Sequence, residues 1–481
     1  MGATNMPEDN KSSLNRALGL TASVLLVAGL MIGSGVFKKI APMAKHLGSE
    51  SYILWAWILA GVITMFGAFT YAGLATTTAR TGGIYEYLKQ AFGDFIAFLF
   101  GWSFFTITGS GAIAALAFIF SESVNTLVHF PNPLDSWKDV SMAGGTITPF
   151  ASSGIKFFAI IVIGLLTLIN YRGVKQGGIL NNIVTAAKIL GILLLIVAGL
   201  FYAAGPAPQV VTGAATPAQS GGTMIAVFLS AMLSALWAYD GWANITFIAG
   251  EIKNPQRNLP LAIIGGVGIA MFLYVMLNYC FMRVLNMQQL AAIGDNEIAA
   301  AKAAGVMMGN TGSIIIAVLI MACTFGAANA CILVYPRLYY RMAQETRFFK
   351  SASAVHRIYR TPHIALVYSG VWSCILVISG TFDLLTNLVV LASYFFFGLT
   401  AWGLIKMKRS GVVKTRVIGY PFTPVIIMLF SLSLIINNII SDPKQSFICF
   451  LLVLSGVPFY LYFKRKALAN GPVEEEQESL S

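Results

Sequence analysis

Charge is scarce in this chain. Asp, Glu, Lys and Arg together make up 10% of its 481 residues against 57% apolar residues, and the mean hydropathy is +0.76. Soluble globular domains carry about 25% charged residues, so that class is excluded and an integral membrane protein is indicated. Histidine is rarer still. His46, His129, His356 and His363 fall in loops or at span edges, which leaves no metal-ligand cluster inside the membrane, and neither metal nor cofactor is expected. The five cysteines, Cys280, Cys323, Cys331, Cys374 and Cys449, all lie in apolar stretches, so none is placed for an exported disulfide. The spans hold no His and no paired acids, which argues against an enzyme. They show neither charged rings nor a carbonyl filter pattern, which argues against a channel.

Apolar runs of about 20 residues are what the chain has instead, and they recur along nearly its whole length. Their length indicates helices; the alternating ten-residue strands of a barrel are not seen. About 12 spans are expected, the first at 17–37, the fifth at 180–202, the sixth at 224–249 and the eighth at 312–334. The net charge of +12 reads as topology rather than nucleic-acid binding, because the basic residues sit in short loops, where the positive-inside rule favours them. That rule puts both termini in the cytoplasm. Lys38, Lys39 and Lys45 go against it. The first apolar run is too long for a signal-peptide core, so it is expected to stay as a span. The ends, residues 1–16 and 467–481, read as a cytoplasmic tail and a disordered cytoplasmic tail.

The stretch Thr21–Phe37 contains Gly33, Ser34 and Gly35. Glycine costs about 1 kcal/mol against alanine in a helix interior, so this triplet favours a break. Unwinding there frees backbone N–H groups at a depth without bulk water, and a substrate carboxylate at the new helix start is their natural partner. Close packing against a neighbouring helix is the alternative use of such small residues. The sixth span carries a second candidate break at Trp237-Ala-Tyr-Asp240-Gly241-Trp242. Five spans separate the two, so the second group of five enters from the opposite side, as in an inverted repeat with a central site between its interrupted helices. The expected units are 17–202, 224–405, and a final pair of helices over 406–466.

Two ionisable residues lie well inside spans, Lys188 in the fifth and Asp240 in the sixth, and each is a functional candidate because charge is costly there. The Lys188 ammonium beside an unwound helix can hold freed carbonyls, the task a sodium ion would otherwise perform. It could also face a water cavity, or exchange protons. Asp240 either caps the half-helix that follows or attracts an amino group or a cationic side chain of a substrate. Trp237, beside the break, is the best candidate among the aromatics to line a pocket.

The motifs GSGVF at 33–37, TGGIYEYLKQAFG at 81–93, NYRGVKQGG at 170–178, TAAKILG at 185–191, LWAYDGWANITFIAGEIKNPQRNLPLAI at 236–263 and FGAANACILVYPRLYYRMA at 325–343 span nearly the full chain. They resemble the amino acid-polyamine-organocation superfamily, and within it the L-amino-acid transporter branch. The resemblance implies an all-α, LeuT-like fold of five plus five inverted helices with two more, alternating access, and sodium-independent transport, commonly by obligatory exchange of neutral L-amino acids. Rival readings are a proton-coupled importer and an exchanger accepting cationic amino acids through Asp240. It further implies that Gly33, Ser34 and Gly35 offer N–H groups to the substrate carboxylate and that carbonyls near Met31, Ile32 and Trp237 receive its ammonium, beside Asp240 and Gly241. Lys188 would stand in for sodium, with Thr324 as a neighbour. Where many relatives carry an acidic residue in the second span, this chain has Gly73. The loop 121–154 has no cysteine, so no disulfide-linked heavy subunit is expected; the expected partners are the amino acid substrates and the lipid bilayer, and no nucleic acid.

Overall fold

The computed structural model describes residues 18–77, 82–134, 140–142, 145–147, 150–202, 224–294, 297–379 and 382–469. The tail expected at 1–16 and the stretch after 469 lie outside them. Among the described residues the chain is nearly all helix. The first span is split into α1 (Leu20–Met31) and α2 (Gly35–Lys38), followed by α3 (Ile40–Leu47) and the second span, α4 (Glu50–Ala75). An amphipathic helix, α5 (Ile84–Phe92), leads into the third span, built from α6 (Asp94–Ser103), a π-helical turn at Phe104–Thr108, and α7 (Gly109–Asn125). A hairpin of β1 (Val140–Met142) and β2 (Gly145–Ile147) follows, paired antiparallel through Ser141 and Thr146. Next come α8 (Ser153–Tyr171), α9 (Val174–Phe201) and α10 (Met224–Tyr239), which passes through a turn into a 3-10 helix at Trp242–Glu251. The chain continues as α11 (Pro255–Val284), α12 (Met287–Ala291), α13 (Ala299–Val334), α14 (Pro336–Gln344), α15 (His363–Ser379), α16 (Phe382–Arg409), α17 (Phe422–Ser441), α18 (Pro443–Leu454) and α19 (Gly456–Ala469).

Ten of the described helical stretches are long and apolar enough to cross a membrane, and the shorter apolar helices α1 and α15 supply two more. The all-α, LeuT-like membrane fold is therefore the one the chain adopts. Its outward surface is apolar where a soluble protein's would be polar: Phe157, Ile183, Leu194, Phe272, Val371 and Phe447 are all more than half exposed, as lipid-facing side chains are. Span ends shift by a few residues from the hydropathy reading, the fifth for one starting at Val174 rather than at 180. Gly309, at φ +65°, interrupts α13, so the eighth span is preceded by a helix that its Ala-rich, unpatterned sequence concealed. α19 continues to Ala469, three residues into the stretch expected as a tail.

The helices sort into two packed groups. One contains α1, α4, α10 and α11; the other contains α7, α8, α13 and α15, and α9 touches both through α1, α11 and α13. The π turn in the third span loosens the regular ladder. Its carbonyls are met from outside, Thr106 O accepting from Trp372 Nε1 at 3.1 Å and Phe104 O from the Tyr339 hydroxyl at 3.4 Å. Those bonds fix α7, and with it Ala112 and Leu116, against the other elements of its group.

Candidate functional site

Both expected breaks are present, and they lie against each other. At the first, Ile32 leaves helical geometry (ψ 89°) and the helix resumes at Gly35. At the second, α10 ends at Tyr239, and Gly241 takes φ +101°, a conformation open to glycine but strained for other residues. A Cβ at Gly241 would sit 2.8 Å from the Leu30 carbonyl oxygen, and one at Gly35 would sit 2.7 Å from the Ala238 Cα. Glycine at these two positions lets the broken helices touch backbone to backbone.

A helix that stops leaves its last four carbonyls without partners, so the end of α1 strands those of Gly29, Leu30, Met31 and Ile32. Lys188 Nζ, fully buried on α9, donates to Gly29 O at 2.9 Å and to Ile32 O at 2.7 Å. The Tyr274 hydroxyl on α11 lies 2.8 Å from Met31 O and 2.9 Å from Ala238 O. A hydroxyl carries one proton, so Tyr274 shares it between the last turn of α1 and the last turn of α10. The second break is also closed locally, Asp240 N donating to Trp237 O at 3.2 Å. Of the carbonyls expected to receive a substrate ammonium, those of Met31, Ile32 and Trp237 thus already accept one protein donor each, and a ligand would meet their second lone pairs.

Between the breaks lies a cavity of about 330 Å³, its mouth included, lined by Leu30, Met31, Gly33, Ser34, Gly35, Ala112, Leu116, Trp237, Asp240, Gly241, Cys331 and Tyr335. Ser34 is 1% exposed and its hydroxyl has no partner among the described residues, and an unmatched polar atom buried in a pocket wall is costly unless a ligand or water meets it. Seven of the sequence-expected residues are therefore brought together: Met31, Gly33, Ser34, Gly35, Trp237, Asp240 and Gly241. Ile32, Lys188 and Thr324 stand outside the wall. Ile32 is fully buried with its carbonyl turned to Lys188, and Thr324 donates to Ile320 O within its own helix at 2.8 Å. Gly241, and not Asp240, occupies the N-cap position of the 3-10 helix, while the Asp240 carboxylate accepts from the Gly241 N–H at the same helix start.

The sequence reading missed the opposite wall. Tyr335 accepts from Asn244 Nδ2 at 3.2 Å and from the Cys331 thiol at 3.1 Å, so two spans are tied at the far end of the cavity. The available signal was polar side chains in otherwise apolar runs, Asn244 in the sixth span and Tyr335 just before Pro336. Gly73, where the resemblance led an acidic residue to be expected, packs so close to Val417 that a Cβ would lie 2.7 Å from its Cγ2; a carboxylate has no room there.

Below the cavity the breaks are strapped shut. Leu18 forms a parallel bridge with Ile252, donating to Glu251 O at 3.1 Å and accepting from Lys253 N at 2.8 Å. Under this strap Arg337 Nε meets Glu251 Oε1 at 3.0 Å, with side chains 1% and 2% exposed, and Arg337 also donates to Leu333 O. A family model for amino acid permeases matches residues 18–459. The chain belongs to the amino acid permease family. This permease is 29% identical to the serine/threonine exchanger SteT of Bacillus subtilis over 464 residues, 95% of this chain and 99% of that one. It is 30% identical to the b(0,+)-type amino acid transporter 1 of Mus musculus over 96% of this chain and 90% of that one. It is 26% identical to the human cystine/glutamate transporter over 96% and 88%. These likenesses put it in the L-amino-acid transporter branch, among multi-pass membrane proteins that move amino acids.

Proposed function

We propose that this permease is a sodium-independent exchanger of neutral L-amino acids, working by alternating access in the plasma membrane with both termini cytoplasmic. The observation that carries the reading is the Lys188 ammonium on Gly29 O and Ile32 O. A fixed ammonium there supplies the positive charge that a bound sodium ion would supply and holds the same carbonyls by donated hydrogen bonds, so binding needs no co-ion. On this reading the amides of Gly33, Ser34 and Gly35 take the substrate carboxylate, aided by the half-helix dipole. The ammonium of the substrate sits among the Met31 and Trp237 carbonyls and Asp240, and its side chain points toward Leu116, Cys331 and Tyr335. Thr324 serves only to support α13. A wall this close favours small side chains: a Cβ on Gly33 would lie 2.8 Å from Leu116 Cδ2.

The repeats 17–202 and 224–405 would then be the two inverted halves, with 406–466 added outside them. The moving body is the group of α1, α4, α10 and α11, and the frame is that of α7, α8, α13 and α15. The test is uptake of labelled L-serine and L-alanine into proteoliposomes, with and without internal amino acid, in sodium or choline buffer. Exchange that requires internal substrate and ignores the cation is expected; uptake into empty vesicles that follows an imposed pH gradient would establish a proton-coupled importer instead. A second reading rests on Asp240 in the cavity wall, which could hold a cationic side chain. Competition by arginine and lysine that disappears in Asp240→Asn would favour it.

A further inference from the structure

On the face of the bundle away from Leu18, the half-helix α2 ends in Lys38, whose Nζ meets Glu122 Oε2 on α7 at 3.0 Å, the two side chains 8% and 7% exposed. The same ammonium stands 5.0 Å from the centre of the Phe382 ring, at the start of α16, and Lys39 Nζ stands 4.8 Å from it. Lys39 also donates to Thr386 Oγ1 at 3.1 Å. Phe382 in turn packs edge-on against Trp237, with ring centres 6.2 Å apart and planes at 85°. Trp237 is in the wall of the central cavity, whereas Lys38 and Lys39 are in the wall of a second, outer pocket of about 270 Å³, shared with Lys45, Gly294 and Glu297. Between the two pockets lie, in order, an indole, a phenyl ring and a buried ion pair.

We infer that the Lys38–Glu122 ion pair is the clasp of this face, tying the substrate-binding half-helix to α7 when the cavity is shut and parting when the cavity opens outward through Phe382. Three features support it. Lys38 lies three residues beyond Gly35, and Glu122 lies six residues beyond Leu116, so each partner rides directly on a segment of the cavity wall. The pair joins α2, continuous with one packing group, to α7 of the other, so a relative movement of the groups must stretch it. With both side chains under 10% exposed the attraction of the pair is little screened by water, and the aromatic face beneath adds cation–π attraction that favours the ammonium in this position. The same contacts account for basic residues in a place the positive-inside rule disfavours: Lys38 and Lys39 are 7% and 2% exposed, and serve as built-in partners rather than loop charges.

The inference rests on the alternating-access reading for its direction of opening, but its test needs no substrate. Cys331 lines the cavity and is 2% exposed. In detergent-solubilised protein with Cys280, Cys323, Cys374 and Cys449 replaced by alanine, the rate of Cys331 modification by a charged methanethiosulfonate reports opening. Slow labelling is expected in this parent, labelling about tenfold faster in Lys38→Met and Glu122→Gln, and slow labelling again in the charge-reversed pair Lys38→Glu with Glu122→Lys. The reversed pair is the control for folding, since a merely structural defect in either single variant is not mended by it. Equal rates in all four proteins, or a parent already labelled as fast as its urea-unfolded form, would overturn the clasp. Failure of amino acid exchange in liposomes with this labelling order intact would count against the transport reading alone.

Discussion

Removing the Lys188 ammonium separates a role in transport from a role in stability. Its two hydrogen bonds to Gly29 O and Ile32 O, at 2.9 and 2.7 Å, are charge-assisted, and such bonds contribute about 1.5–3 kcal/mol each. Against them stands the cost of holding an ammonium at 0% exposure, which is several kcal/mol for a buried ion. The two terms nearly cancel in the folding free energy, so Lys188→Ala should shift the melting temperature by only a few degrees. In the broken helix they do not cancel. Without the ammonium the carbonyls lose their common anchor, and the geometry of Gly33 to Gly35 that faces the cavity is no longer fixed. A loss of about 3 kcal/mol in the binding-competent arrangement corresponds to about a hundredfold fall in transport, at about 1.4 kcal/mol per factor of ten. Lys188→Met should transport no better and be less stable than Lys188→Ala, because its apolar chain keeps water from the two carbonyls, leaving each unsatisfied at about 1–3 kcal/mol. The assay is homoexchange of labelled L-serine in proteoliposomes at matched protein content, beside a thermal melt of each variant. Undiminished exchange by Lys188→Ala, or a melting loss as large as its transport loss, would refute the reasoning.

Two further substitutions test the contact between the breaks. Gly241→Ala places a methyl 2.8 Å from the Leu30 carbonyl oxygen at φ +101°, so strain of about 1–3 kcal/mol is expected, visible as a lowered melting temperature together with lost exchange. Tyr274→Phe removes the one proton shared by Met31 O and Ala238 O; a fall of about tenfold in exchange is expected from an unsatisfied carbonyl at about 1–3 kcal/mol, with little change in expression.

What the sequence revealed and what it hid follow from how local each signal is. Breaks at Gly33 to Gly35 and at Asp240-Gly241 were legible because a Gly-Ser-Gly triplet and an Asp-Gly pair stand in spans five apart, which close packing alone does not call for, and Lys188 because a charge in a span calls for an explanation. Their meeting in space agrees with the offset of five between the first and sixth spans that an inverted repeat would give. The opposite wall was not legible, since Leu116, Ala112 and Cys331 are ordinary span residues and only the packing of α7 and α13 turns them inward. Tyr274 was hidden for the same reason: in MFLYVMLNYC its hydroxyl looks like any aromatic tip until the two carbonyls it joins are known. The partners of Lys38 are 84 residues away at Glu122 and, for its ring, at Phe382, a distance no motif bridges.

The two faces of the bundle are closed by unequal means, and the difference predicts which opens first. On the Leu18 face, opening must separate the Arg337–Glu251 pair, at 1% and 2% exposure, and carry with it a backbone strap, Leu18 N to Glu251 O and Lys253 N to Leu18 O. Gly82 N adds a third backbone bond, to Phe247 O at 3.2 Å. On the Lys38 face the contacts are between side chains, Lys38 with Glu122 and Phe382 and Lys39 with Phe382 and Thr386, and no backbone bond from α2 to α7 or α16 is present among the described residues. The Leu18 strap lies within the group of α1, α10 and α11 and moves with it, but it fixes its own amides: a typical backbone bond contributes about 0.5–1.5 kcal/mol, and Lys253 N and Gly82 N each make one to a different segment of the chain. Amide hydrogen exchange of the unliganded protein should therefore show Lys253 and Gly82 protected longer than Phe37 and Lys39, by a factor of about ten or more. The reverse order of protection would mean that α2 is held by something stronger than its clasp.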